Sequence, residues 1–358
     1  MRVADVLNRL DFSPLDGVAP IFLSVGHLRL ALVCGEVLRT ELAEYFASAA
    51  AGPGPVDATV EVLEGQALEP QPDWIDWARE PGKSGRKDAY RDLTGGRLVH
   101  KVRTGVTFLQ SPERLVAFGP CSRHPNQIIN FVNTQFLNIC QREGWQICHA
   151  AAITDCNKSL AIAGLSGGGK STAVLRMMDI DGLSYVSNDR LLVRAGSPPA
   201  ALGIPKLPRI NPGTILTNPR LSPMLDATRQ VELGALPQQN LWALEEKHDL
   251  HIDQVYGEGR IQWSAPLTHF WILNWHHGGN DPVQVTPCDL SDRPDLLSAI
   301  MKSAGPFYQN PDGTFLKDSD PLDPKAYLAA LDGVAVYEVS GTVDFDALSA
   351  KGRDLWLG

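Results

Sequence analysis

The sequence predicts an α/β protein of two domains. Strand-like and helix-like segments alternate along it, and one short apolar strand runs straight into a glycine-rich turn and a helix. The chain's 358 residues also exceed what one ordinary core organises. Hydrophobic residues make up 44% and charged residues 20%, which suits globular domains rather than a disordered chain. The expected division is an N-terminal α/β domain over 1–122, a connecting helix over 123–144 and a second domain over 145–358.

At the start, Val3, Val6, Leu7 and Leu10 fall at helical spacing with charges between them. This predicts a short amphipathic helix, not a secretion signal. Leu28–Val33 and Ala58–Leu63 read as strands around a helix over Leu38–Ala50, which the Gly-Pro-Gly-Pro turn from Gly52 closes. The polar stretch Glu64–Gly96 reads as a long loop, with a basic patch at Lys83, Arg86 and Lys87. That patch is a solvated surface or a partner-docking site. Strands are expected at Arg97–Val102, Val106–Gln110 and Arg114–Gly119. The helix Pro125–Arg142 follows, with proline in its first turn, Ile128, Ile129, Val132, Phe136, Leu137 and Cys140 on one face, and Gly144 at its end. A hairpin of Trp145–Ile153 and Ser159–Ala163 opens the second domain, turning around Asp155–Lys158. Gly196–Pro223 reads as loop, Tyr327–Leu331 as a short helix, and Val334–Val339 as a closing strand before a short terminal segment.

The net charge of −9 argues against broad nucleic-acid or anionic-membrane binding, which needs clustered Lys and Arg. No apolar run is long enough to span a bilayer, so the expected location is the cytoplasm. The six cysteines include no C-x-x-C pair, so neither a zinc ribbon nor a redox dithiol is suggested.

The segment with the most chemistry is Gly164-Leu165-Ser166-Gly167-Gly168-Gly169-Lys170-Ser171, which matches G-x-x-x-x-G-K-[ST]. Leu160–Ala163 precedes it as a strand and Ser171–Met178 follows as a helix. Glycines let successive backbone N–H groups curl around an anion with no Cβ in the way, and the helix turns its positive end on the same phosphates. Lys170 supplies a point charge for the terminal phosphates, Ser171 a hydroxyl for magnesium, and Thr172 lies next in the first turn. The predicted ligands are therefore a nucleoside triphosphate and Mg2+. Asp189 follows the lysine by nineteen positions, 170 to 189, at the end of the strand Ser184–Ser187. There its carboxylate is placed to hold the metal or to accept a proton from an attacking hydroxyl. A turn-forming Asn188-Asp189 pair is the plainer alternative.

These residues resemble the kinase domain of bacterial HPr kinase/phosphorylase and, more nearly, the HPr-kinase-related kinases of type B. The resemblance covers about 148–194 and thins toward Gly213. It rests on His149 before the loop, the loop itself, the short helix, and a hydrophobic strand ending in Asn188-Asp189-Arg190. It implies the P-loop fold shared with phosphoenolpyruvate carboxykinase, ATP and Mg2+ as cofactors, and phosphoryl transfer to a hydroxyl acceptor, a protein serine or a small metabolite. His149 would contact the phosphoryl region and Asp189 would handle metal and proton. Asn188 departs from the family, which has an aspartate there, and the downstream Gly-Arg signature is missing. A nucleotide-binding ATPase or switch without an acceptor is the alternative reading. The N-terminal domain would recognise the acceptor or support a homo-oligomer.

Further candidates are Lys206 and Arg209, in a proline-stiffened loop able to face the nucleotide, and Lys247. Each is a phosphate contact or ordinary surface charge. Arg260, in Gly257–Arg260, is either on a substrate loop or in a hairpin turn. The histidines at 248, 251, 276 and 277 lack the supporting ligands of a transition-metal site. Trp271 and Trp275 are read as one face of a strand, packed in the core.

Overall fold

A computed structural model describes residues 1–78, 85–164, 168–244 and 246–357. The fold is mixed α/β with several sheets. The chain divides into two units, 1–144 with 303–322, and 145–302 with 323–358. The helix Pro125–Arg142 belongs to the first unit rather than connecting the two. Its apolar face, including Ile128, Phe131, Val132 and Phe136, is buried, and Phe131 meets Phe108 of the strand Thr107–Gln110 with ring centroids 4.6 Å apart. Such a broad apolar stripe needs a sheet to cover it. Residues 303–322 also return to the first unit, a re-entry that no local pattern signals.

The first unit is built on a nine-stranded mixed sheet. Leu28–Val33, Ala58–Glu64 and Leu115–Gly119 lie parallel at its centre, and antiparallel strands extend it on both sides. Two stretches differ from expectation. Ile21–Val25 forms a strand paired with Leu28–Val33 through the turn at Gly26. Asp88–Leu93, within the expected loop, pairs antiparallel with Gly96–Lys101. The few apolar residues of Asp88–Leu93 hide a strand that is held by its neighbour's backbone. Of the basic patch, Lys83 lies outside the described residues and Arg86 hydrogen-bonds Asp76 at 2.8 Å.

The second unit centres on a six-stranded sheet in the order 184–187, 150–154, 159–164, 269–273, 335–340, 284–287. Ser159–Gly164, His269–Leu273 and Ala335–Ser340 run parallel. Ala150–Thr154 is antiparallel to both Ser159–Gly164 and Ser184–Ser187, so those two strands point the same way. The expected strand 145–153 is divided. Gln146–Cys148 pairs with Leu191–Arg194 in a separate four-stranded sheet, and Ala150–Thr154 enters the six-stranded one. Gly196–Pro223 holds the strand Ala200–Leu202 and the short helix Pro212–Leu216, where only loop was expected. The terminal segment is a 13-residue helix, Phe345–Leu357. Among the described residues no helix is long and apolar enough to cross a membrane.

Candidate functional site

The topology brings three sequence-distant residues to one edge of the six-stranded sheet. Gly164 ends its strand there, His149 stands just before the antiparallel strand Ala150–Thr154, and Asp189 lies just past the strand Ser184–Ser187. This is the carboxyl edge of the parallel strands, where open α/β sheets bind ligands. His149 sits where the chain switches sheets rather than on a strand. Its backbone N–H donates to the Ile300 carbonyl at 2.7 Å, which anchors the crossing.

The loop helix spans Lys170–Met177, and its N-cap Gly169 has φ +87°. A Cβ on Gly169 would lie 2.6 Å from Cζ of Phe345, so glycine is required twice over, by conformation and by space. The indole N–H of Trp275 donates to the Gly168 carbonyl at 2.9 Å, and its ring meets Phe345 edge-on at 5.2 Å. Trp275 lies past the strand His269–Leu273, so it does not share a strand face with Trp271, which is in the core. Ser166 and Gly167 lie outside the described residues. Ser171 lines the cavity at the helix start, while the Thr172 hydroxyl is engaged by that of Thr214 at 2.7 Å.

A cavity of about 410 Å³ opens beside the loop helix. His149, Lys170, Ser171, Asp189, Lys206 and Arg209 all line it, as do Arg190 and Lys247. The turn that presents Asp189 is tied by Ser187 Oγ, which donates to the Arg190 carbonyl at 2.5 Å. Gly203 passes so close to this strand that a Cβ would lie 1.9 Å from the Val186 carbonyl oxygen, which lets the Gly203–Arg209 segment run alongside it. Arg190 Nη1 donates to Asp189 Oδ2 at 2.8 Å, His149 Nε2 stands 3.3 Å from Oδ1, and Lys206 Nζ stands 3.8 Å from Oδ2.

Burial by itself would push the Asp189 carboxyl up. The His149 contact and the charges of Arg190 and Lys206 outweigh it and hold the group well below the usual carboxylate range. Lys170 and Lys206 are both pushed down, first by burial and then by neighbouring cations, while Asp189 opposes the shift in each. Those cations are Arg190 and Lys302 for Lys170, and Arg190, Arg209 and Lys247 for Lys206. One carboxylate is thus shared among more positive charge than it balances. Arg209 has its own partner in Asp249, at 3.1 Å across the ladder Arg209–Ile210/His248–Asp249. Asn188 is 8% exposed, lines the cavity, and its Oδ1 has no hydrogen-bond partner.

Other candidates fall elsewhere. Arg260 donates to the carbonyls of Leu183 and Met178, at 2.5 and 2.9 Å, fastening the segment after the loop helix rather than reaching for an acceptor. His276 stands 3.4 Å from Asp281, and His248 stands 3.3 Å from Glu246. Trp242, His277, Thr214 and Phe345 line the cavity although no local pattern marked them. Arg190 had a signal, its place beside Asp189.

No protein-family model matches the chain, and comparison with curated proteins finds no match. Among solved structures the chain is similar to the Hpr(Ser) kinase/phosphatase from Coxiella burnetii, with 12% identity and a TM-score of 0.27. That likeness covers 59% of this chain and 97% of the other. A similarity so slight fixes neither fold nor activity.

Proposed function

We propose that the second unit is a P-loop phosphotransferase that moves the γ-phosphoryl group of ATP, held with magnesium, to a hydroxyl acceptor. The supporting observation is the excess of cations, Lys170, Arg190 and Lys206, around the single carboxylate Asp189 at the mouth of a glycine-capped helix. Ammonium groups withdrawn from water and set against like charges gain most from a polyanion. Magnesium keeps several waters and needs only one or two carboxylates beside the phosphates. The residues present fit that demand: Ser171 and Asp189 would hold it, with the unpartnered amide oxygen of Asn188 on the same cavity wall. When bound, the ion neutralises charge on the terminal phosphate oxygens.

In the proposed transfer the acceptor oxygen attacks the γ-phosphorus. The bond to the β–γ bridging oxygen breaks, ADP leaves with that electron pair, and the hydroxyl proton passes to Asp189. A carboxylate held ionised is a weak base. Loose phosphoryl transfer, however, depends on positioning and charge neutralisation more than on base strength. Lys170 and Lys206 would supply the fixed positive charge, and His149 would orient the γ-phosphate.

Incubation of the protein with labelled ATP and Mg2+, alone and with cell extract, tests the proposal. The expected result is label on a protein serine or a small metabolite, abolished by Lys170→Ala. Asn188 in place of an acid favours a second reading, hydrolysis without an acceptor, which predicts free phosphate only. Absence of both turnover and binding heat overturns the two together.

A further inference from the structure

The cavity's lining holds two chemically different groups of residues. The charged lining comprises Lys170, Asp189, Arg190 and Lys206, and the aromatic lining includes the adjacent pair Trp242 and His277. Trp242 closes the short helix Gln238–Ala243 and is 43% exposed. Its ring lies 4.3 Å from that of His277, tilted by 36°. Trp242 keeps surface open on the cavity wall, and an indole offers a large flat face on which a further ring can pack.

Two contacts tie this aromatic pair to the loop helix. The Thr172 hydroxyl, in the first turn of the loop helix, meets that of Thr214 at 2.7 Å. Beside Thr214, Gly213 passes close under Trp242, where an added Cβ would lie 3.8 Å from its Cδ1. The start of the loop helix, the helix Pro212–Leu216 and Trp242 therefore form one continuous wall. Such a wall suits a ligand that is anionic at one end and a flat aromatic at the other.

From this juxtaposition we infer that Trp242 and His277 form the stacking surface for the purine base of the nucleotide. This deepens the phosphotransferase reading and rests on it. Stacking recognises a π-face without demanding particular hydrogen-bonding edges, and an indole offers the largest such face. Phe345, the other aromatic on the wall, is already packed against Gly169 and Trp275.

The test compares ATP with inorganic tripolyphosphate, each with Mg2+, by calorimetry. Wild-type protein should bind ATP more tightly than tripolyphosphate. Trp242→Ala should weaken ATP roughly tenfold, the scale of base–aromatic stacking, and leave tripolyphosphate unchanged, while Trp242→Phe keeps most of the affinity. His277→Ala should lower ATP affinity alone by a smaller factor, and it carries the test if Trp242→Ala does not fold. Equal binding of the two ligands, unaltered by either variant, overturns the base site and leaves the phosphate site standing. A Trp242→Ala protein with normal ATP affinity but lost transfer overturns it as well, because the indole would then serve the acceptor. Binding of neither ligand removes the nucleotide reading and this inference with it.

Discussion

Arg97 in the first unit and Lys170 in the second are both cations withdrawn from water, and their surroundings treat them differently. Arg97 is 1% exposed and nearly all its donors are used. It forks onto Asp92 at 2.5 and 3.2 Å and donates to the carbonyls of Pro306 and Leu316 at 3.1 and 2.8 Å. The rings of Tyr90 and Phe315 lie over its guanidinium at 4.5 and 4.6 Å. Among the described residues Lys170 donates one hydrogen bond, a long one of 3.3 Å to the Gly164 carbonyl, and its charged neighbours include Arg190 and Lys302. A cation that serves the fold is matched donor for acceptor. On the proposed reading Lys170 serves a ligand, and such a cation keeps unused capacity at a cost in stability.

Replacing each residue with methionine should therefore have opposite consequences, and this is the largest effect expected. Arg97→Met strands two carbonyls at about 1–3 kcal/mol each, so it should lower unfolding free energy by roughly 2–6 kcal/mol in urea titration. Lys170→Met removes an ammonium crowded by like charge, so stability should hold or rise while nucleotide binding is lost. If Lys170→Met destabilises as Arg97→Met does, Lys170 is structural and the contrast collapses.

Asp189 sharpens the same contrast through pH. Its folded pKa lies below the ordinary 3.8, so its stabilisation is complete above that value and is lost as pH falls below it toward the folded pKa. Lys170 and Lys206 have the opposite sign. Their folded pKa values lie below 10.5, so their strain is full at neutral pH and relaxes as pH rises toward 10.5. Asp189→Asn should flatten the acid limb of the stability profile and lower stability at pH 7, where three cationic partners lose their anion. Without magnesium it should also bind tripolyphosphate several-fold more tightly than wild type, since the carboxylate no longer competes. Weaker binding under those conditions would show that Asp189 does not hold the cations in the ligand's place.

The parts of this site that were legible in sequence are those whose chemistry is local. A strand, a run of glycines, Lys170 and a helix lie in one stretch, and the direction of two flanking strands carries His149 and Asp189 to the same edge. The helix Pro125–Arg142 was legible by its period, but its apolar stripe names no partner, so the unit it belongs to was not. Asp88–Leu93 alternates too weakly to announce a strand, and pairing supplied what pattern lacked. Trp242, His277 and Phe345 were illegible for another reason. Each is far from the loop in sequence, and only tertiary packing sets them beside it.

Trp275 shows how a core-like signal conceals a contact with the glycine-rich loop, and it gives the smallest effect expected. In sequence it shares an apolar run with Trp271. In the fold Trp271 stays within the core, whereas Trp275 turns its N–H to the Gly168 carbonyl. A carbonyl held by a donor from outside the loop fixes the orientation of its peptide unit, and so the direction of the next amide N–H. Trp275→Phe deletes that donor and keeps a ring against Phe345, so stability should fall by only about 0.5–1.5 kcal/mol, the net worth of one hydrogen bond. Nucleotide affinity should fall a few-fold, measured by calorimetry on protein shown folded by circular dichroism. Trp271→Phe is the counterpart: it removes buried volume, so it should cost stability and leave affinity unchanged. If the two variants behave alike in binding, Trp275 is only packing, and the loop's geometry is set without it.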